Sequence, residues 1–173
     1  MKKWTIAAVL AAVAGLSVGV LGEQKKATLT ALDYAEINQL YIRYNYGIDT
    51  HGDNGMQWAG TFTKDGVFDL GGGKKFVGRE ALLGFAHGVA KGNNGAPHHF
   101  ATNIRIEPSA EGAVGSAYFF NVPTPETGKP ASITGTGVYE DVIVKTPEGW
   151  RFKQRTFYSN ALPPSMVNQV SSR

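Results

Sequence analysis

The sequence predicts an α+β domain in which three helices pack on one face of a curved, mainly antiparallel sheet. Helical periodicity is concentrated in residues 30–90, and four strand-like segments occupy residues 98–158. Helices in one part of the chain and strands in another are typical of α+β folds, whose helices lie together on a sheet. Short turns rich in Pro, Gly and Glu separate the later strands, which favours an antiparallel meander.

The first predicted helix begins near Thr30 and ends before the polar turn 51–55. Thr30 is a suitable N-cap residue, and Asp33 places an acid near the positive end of the helix. Asp49 closes the helix, where the helix dipole disfavours an anion, so an acid there favours a specific role, the alternative being a carboxylate that caps the following turn. Apolar residues recur at helical spacing and mark one buried face: Leu32, Ile37, Leu40, Tyr41, Tyr44 and Ile48.

Two further helices and a hairpin are predicted before the meander. A short aromatic helix spans residues 56–62, and a helix with an apolar face spans residues 79–90. The glycines at 71–73 separate two short strand-like runs, 66–70 and 74–77, and therefore predict a β-hairpin. The strands of the meander are predicted at 98–106, 113–122, 133–144 and 150–158.

The length of 173 residues fits one domain with a sizeable core, expected at residues 30–159 and followed by a C-terminal tail at 160–173. The formal net charge of +3 falls to +1 without residues 1–22, because 15 Lys and Arg then face 14 Asp and Glu. Scattered basic residues on a near-neutral domain give no electrostatic basis for binding nucleic acid.

The N-terminus has the pattern of a secretory signal peptide over residues 1–22. Two lysines form its positive region, and an uncharged apolar run from Trp4 to Leu21 follows. Cleavage after Gly22 would leave residues 23–29 as a linker. An uncleaved membrane anchor is the alternative, since the run is near the lower length limit for a span. We expect an exported protein, periplasmic or secreted, with no membrane attachment after signal removal.

Two adjacent histidines, His98 and His99, open the first strand of the meander. Neighbouring residues on a strand point to opposite faces, so the two cannot readily bind one ion, and no metal site is predicted. A histidine whose ring is held by a carboxylate, such as that of Asp49, is a general base suited to neutral pH.

Strand alternation does not decide which of the two histidines faces the interior. It places His99 on the same face as Asn103, whereas the apolar Ile104 and Ile106 fall on the face of His98. The more apolar face of this strand is therefore not the face of His99.

Several segments resemble the SnoaL-like branch of the NTF2-like cone fold. They are Ile37–Asp49 with the following Trp58–Phe68, then Phe76–Leu82, then His99–Ile104, and Gly149–Lys153 near the end. The resemblance extends over residues 30–158, most of the chain without the signal. It implies a cone-shaped sheet with a cavity between sheet and helices.

The resemblance also implies a chemistry. In the scytalone dehydratase and hexachlorocyclohexane dehydrochlorinase families, an aspartate at a helix end orients a histidine that abstracts a proton from carbon. Asp49 and His99 occupy the matching places. Tyr44 stands where the dehydrochlorinases have a basic residue, and Thr134–Gly137 stands where the dehydratases have another histidine. Assistance to the leaving group therefore does not carry over.

We accordingly expect a cofactor-independent lyase or isomerase of the dehydratase or elimination type, acting on a small apolar molecule. His99 would abstract the proton, and Asp49 would fix its tautomer. Tyr44 or Asn103 could stabilise developing negative charge. The alternative is a non-catalytic module that binds a small hydrophobic ligand, and either form could be a homo-dimer or homo-trimer. The candidate substrate-binding residues, whose aromatic members could equally be plain core, are Tyr41, Tyr44, Trp58, Phe85, Asn103 and Phe119.

Overall fold

A computed structural model describes residues 28–92, 97–125 and 127–171 of the chain. The predicted signal peptide, residues 1–22, and most of the predicted linker lie outside the described residues. Within the described ranges, no helix is both long enough and apolar enough to cross a membrane.

The described residues form four helices and one sheet of six strands. The strand order is β2-β1-β6-β5-β4-β3, and only the pair β1–β6 is parallel. The helices are α1 (Ala31–Thr50), α2 (Met56–Ala59), α3 (Gly78–Gly92) and α4 (Pro164–Ser171). The strands are β1 (Phe62–Asp69), β2 (Lys75–Val77), β3 (Pro97–Ser109), β4 (Gly112–Pro123), β5 (Gly135–Thr146) and β6 (Gly149–Ser159).

The α+β class with a mostly antiparallel sheet is confirmed, but the count of three helices is wrong. The additional helix, α4, lies in the segment predicted as a tail. A helix of eight residues makes little more than two turns, which is too short to display a repeating apolar spacing. Its one recognisable signal is Pro164 at the first helical position, where proline is favoured. Ser165 contacts the Glu140 carboxylate on the sheet.

The start of α1 is fixed as its sequence predicts. The Asp33 backbone N–H donates to the Thr30 hydroxyl at 3.1 Å, and the Thr30 backbone N–H donates to the Asp33 carboxylate at 2.9 Å. This reciprocal capping box satisfies backbone donors that the helix itself leaves unpaired. Lys145 and Trp150 also donate to the Asp33 carboxylate, at 2.7 and 3.2 Å. One carboxylate thus ties the first turn of α1 to β5 and β6.

An aromatic core fills the space between α1 and the inner face of the sheet. The Tyr44 ring lies at its centre, with ring centroids 5.5 to 6.4 Å from those of five neighbours: Trp58, Phe62, Phe68, Tyr139 and Phe152. The close approach of α2 to α1 requires a glycine, because a Cβ on Gly47 would lie 2.6 Å from the Trp58 backbone nitrogen.

A β-bulge in β3 corrects the predicted strand alternation. Thr102 pairs with Tyr118 and Arg105 with Ser116, so β3 carries one residue more than β4 across this interval. Asn103, within the bulge, has φ of 52°. A bulge reverses the alternation that follows it. His99 before the bulge and Ile104 and Ile106 after it therefore all face the interior.

Candidate active site

The end of α1 brings the predicted acid and base together. The His99 backbone N–H donates to the Asp49 carboxylate, with distances of 3.2 Å to Oδ1 and 3.1 Å to Oδ2. His99 Nδ1 also contacts Asp49 Oδ1. The side chains of His99 and Asp49 are only 15% and 17% exposed. Because an ionised carboxylate can only accept, Nδ1 carries the hydrogen, and Nε2 is the ring nitrogen that can accept a proton.

His98 lies on the other side of β3 and is exposed. The structure thus distinguishes the two histidines, which strand alternation had left undecided. Over the part of the chain that the structure describes, no group of three or more His, Cys, Asp or Glu side chains is arranged to hold a metal ion.

A cavity of about 110 Å³ lies beside the His99 ring. Its polar side chains are His99, Tyr44 and Tyr139, and the rest of the lining is apolar. Burial raises the pKa of Tyr44 and of Tyr139, so both hydroxyls stay protonated at neutral pH and can donate hydrogen bonds. The apolar lining comprises Ile48, Phe68, Leu70, Phe85, Val89, Phe119 and Phe157.

Three of the six predicted substrate-binding residues line this cavity. They are Tyr44 from α1, Phe85 from α3 and Phe119 from β4. The Phe119 ring is tilted against the His99 ring, with 5.5 Å between centroids. The cavity therefore places aromatic walls directly beside the proposed base.

The other three predicted substrate-binding residues lie outside the cavity lining. Tyr41 is buried in the core, where its hydroxyl donates to the Asp141 carboxylate at 2.5 Å. Trp58 is also fully buried and lies behind Phe85, with ring centroids 5.2 Å apart. Asn103 is exposed, because the bulge turns it out of the alternation that places His99 inside.

Sequence reasoning missed a buried ion pair beneath the cavity. Asp141 and Arg155 stand opposite each other on β5 and β6. Arg155 Nε donates to Asp141 Oδ1 at 2.7 Å and Nη2 donates to Oδ2 at 2.8 Å, a bidentate pair with both side chains fully buried. The sequence did offer one signal for this pair. Asp141 lies two residues after Tyr139 and Arg155 two residues before Phe157, so strand alternation places each charged residue on the inward face.

Aromatic rings enclose the Arg155 guanidinium. Its central carbon lies 3.9 to 4.8 Å from the ring centroids of Phe152, Tyr44, Tyr139 and Tyr41, within range of cation–π attraction. Burial acts to lower the pKa of Arg155, but the Asp141 carboxylate and the neighbouring tyrosines raise it above its ordinary value. The two tyrosines of the cavity therefore contact the guanidinium of a buried ion pair.

Solved structures share this fold. The chain is 29% identical to a variant of Rv3472 from Mycobacterium tuberculosis, a protein of unknown function, over 76% of this chain and 73% of that one, with a TM-score of 0.64. An NTF2-like protein with a cystatin-like fold from Novosphingobium aromaticivorans is 18% identical, over 79% and 88% of the two chains, with a TM-score of 0.66. A scytalone dehydratase-like protein from the same organism is 22% identical, over 75% and 85%, with a TM-score of 0.61.

A search of curated proteins found no match. The family described as the SnoaL-like domain matches residues 29–156, which include α1 and most of the sheet. This match covers well over half of the chain and contains both Asp49 and His99. The chain therefore belongs to the SnoaL-like domain family, and its fold is that of the NTF2-like proteins.

Proposed function

We propose that the protein is a cofactor-independent lyase or isomerase of the elimination type, in which His99 removes a proton from carbon. The contact of the Asp49 carboxylate with His99 Nδ1, beside a largely apolar cavity, carries this proposal. Asp49 holds the ring in one orientation and stabilises the imidazolium that forms when Nε2 takes the proton. The backbone N–H of His99 fixes the same carboxylate from a second direction.

The size and lining of the cavity favour a compact apolar substrate. The cavity has about 110 Å³, which is less than the roughly 150 Å³ of a dry apolar cavity that holds benzene, so it suits a small, compact molecule. A molecule of about that size would displace water from His99. Electrostatic interactions strengthen in a site without water, so a transient charge on the substrate would interact strongly with the surrounding polar groups.

The Tyr44 and Tyr139 hydroxyls supply donors for that charge. Both residues line the cavity, and both hydroxyls remain protonated, as a group must in order to stabilise a developing oxyanion or a departing anion. Arg155, which contacts both rings and pairs with Asp141, holds the two tyrosines in place. A scytalone dehydratase-like protein shares the fold, and a dehydratase is a lyase of the kind proposed.

The test compares His99→Gln with His98→Gln. Small cyclic compounds with an acidic C–H next to a carbon bearing a hydroxyl or halide are incubated in D₂O. NMR then follows deuterium incorporation and release of the leaving group. We expect His99→Gln to lower turnover about 10²- to 10⁴-fold, the usual contribution of a general base. His98→Gln is the matched control, because the exposed His98 side chain points away from the cavity and should leave turnover intact.

Circular dichroism and the midpoint of unfolding are measured for both variants to check that they remain folded. Full turnover by a folded His99→Gln variant would refute the role of the imidazole. Equal losses in the two histidine variants would show that the effect does not depend on the cavity.

A non-catalytic function in binding a small hydrophobic ligand is the second candidate, favoured by the predominantly apolar lining of the cavity. Mass spectrometry of the purified protein under native conditions would detect a retained ligand. Recovery of that ligand unchanged after long incubation supports the binding function, whereas conversion to a product lacking the leaving group supports catalysis.

A further inference from the structure

A second cavity, of about 430 Å³, lies where α1, α2 and the start of β6 meet. It shares no lining residue with the cavity at His99. Its polar lining includes two arginines and a single carboxylate: Arg43, Tyr46, Gln57, Thr61, Glu148 and Arg151.

Arg151 is the more enclosed of the two arginines, with a side chain only 19% exposed. Its Nη1 donates to the Trp150 carbonyl at 2.9 Å, which anchors the guanidinium at the wall of the cavity. Its Nη2 lies 3.7 Å from Glu148 Oε2, which is beyond hydrogen-bond distance, and the Glu148 side chain is 76% exposed. An ion pair of this geometry in contact with water is weak.

Other guanidinium groups increase the positive potential around Arg151. Burial and, next, the charge of Arg43 lower the pKa of Arg151; the Glu148 carboxylate acts to raise it, and Arg79 acts to lower it. Arg79 is itself held in place, since Nη2 donates to the Phe62 carbonyl at 3.2 Å and Nη1 contacts the Ala59 carbonyl. Three guanidinium charges therefore act on a region to which Glu148 contributes one negative charge.

We propose that Arg43 and Arg151 form a binding site for a phosphate-like oxoanion, either free or carried as a phosphate ester on a larger molecule. The planar guanidinium matches the spacing of oxygens on a tetrahedral oxoanion and donates to two of them at once. Tyr46 lies three residues after Arg43 on α1, so its hydroxyl is available on the same side of the helix as a neutral donor. A bound anion also removes the repulsion between the two arginines.

Isothermal titration calorimetry of the folded wild-type protein with inorganic phosphate tests this site, with chloride used to match ionic strength. Glycerol 3-phosphate is titrated in parallel. Saturable binding at one site per chain is expected for at least one of these probes. Tighter binding of inorganic phosphate identifies a site for the free anion, and tighter binding of the ester identifies a site for a phosphate carried on a larger molecule.

Arg43→Gln and Arg151→Gln should each weaken the binding roughly tenfold or more, as expected for loss of a charge-assisted contact. Arg43 is an exposed helix residue, so its replacement leaves the fold intact. Arg105→Gln is the matched control, because Arg105 is also exposed but pairs with Glu107 on β3, and it should bind like the wild type. Lack of saturable binding of both probes, or unchanged affinity in the Arg43→Gln/Arg151→Gln variant, would overturn the proposal.

Discussion

Asp49 contacts both the backbone and the ring of His99, so one side chain at the end of α1 sets the orientation of the imidazole. This arrangement gives a physical reason for an acid at a helix end where the dipole disfavours it. The His99 backbone N–H and the imidazole compensate for that unfavourable position. A change that moves the last turn of α1 would therefore displace the proposed base as well.

The carboxylate of Asp33 lies at the other end of α1, its start, where the helix dipole favours an anion. Hydrogen bonds hold the pKa of Asp33 well below its ordinary value. The one from Lys145 contributes most, followed by those from Thr30. A carboxyl group whose pKa is depressed by folding stabilises the native state above its unfolded pKa, near 4. That stabilisation is lost as the pH falls from about 4 towards the lower folded pKa.

Asp33→Asn should therefore make the free energy of unfolding depend less on pH in the acid range. Between pH 5 and pH 2, the wild type should take up more protons on unfolding than the variant does, by at most one proton. Urea unfolding at a series of pH values measures this difference. Asp53→Asn is the matched control, because Asp53 is an exposed acid in the turn after α1. The same pH dependence of the free energy of unfolding in the wild type and in Asp33→Asn would contradict the lowered pKa of Asp33.

At the residue scale, the sequence reveals local relations and misses those that depend on register. The N-cap at Thr30 and the acid Asp33 lie within one helical turn and were predicted from the sequence, although their reciprocal hydrogen bonds were not. Asp49 and His99 are 50 positions apart, and only the family resemblance linked them. The pairing of Asp141 with Arg155 required the alignment of β5 on β6, which neither strand specifies alone.

At the scale of the element, β3 shows how one added residue changes the face of a strand. Simple alternation separates His99 from Ile104 and Ile106, yet all three face the interior because of the bulge at Asn103. A single asparagine in a strand is a weak signal for a bulge, although asparagine tolerates positive φ better than most residues. The strand itself was therefore predictable, while the point at which its faces exchange was not.

Substitutions at Asn103 test the bulge. Asn103→Val should lower the free energy of unfolding by about 1–2 kcal/mol, because a β-branched residue is strained at positive φ. Asn103→Gly should be tolerated there, since glycine adopts φ of 52° without a steric penalty. Urea unfolding of both variants gives the comparison, with glycine as the matched control for loss of the amide. Equal stability of the two variants would show that the left-handed backbone is not required.

At the scale of the whole molecule, the sheet has two unlike faces. The inner face carries the aromatic core, and the outer face of β3 and β4 leaves apolar side chains in water. Phe100, Tyr118 and Val114 are 43%, 45% and 40% exposed. Phe100 stacks on Phe120 with 4.8 Å between ring centroids. Ile104 and Ile106, which the sequence placed on the same face as Phe100, are directed inward by the bulge.

We propose that a second copy of the chain covers this outer patch of Phe100, Phe120, Tyr118 and Val114. Exposed apolar side chains grouped on one face of a sheet are a common mark of self-association. Sedimentation velocity at several concentrations should show a homo-dimer or homo-trimer for the wild type. Phe100→Glu should shift the population towards monomer, because a buried interface would enclose an unpaired charge.

Ile42→Glu is the matched control, since Ile42 is 44% exposed on α1 and should leave the assembly intact. A wild-type protein that stays monomeric at all concentrations would contradict this proposal, and dissociation by both substitutions would contradict the placement of the interface at Phe100.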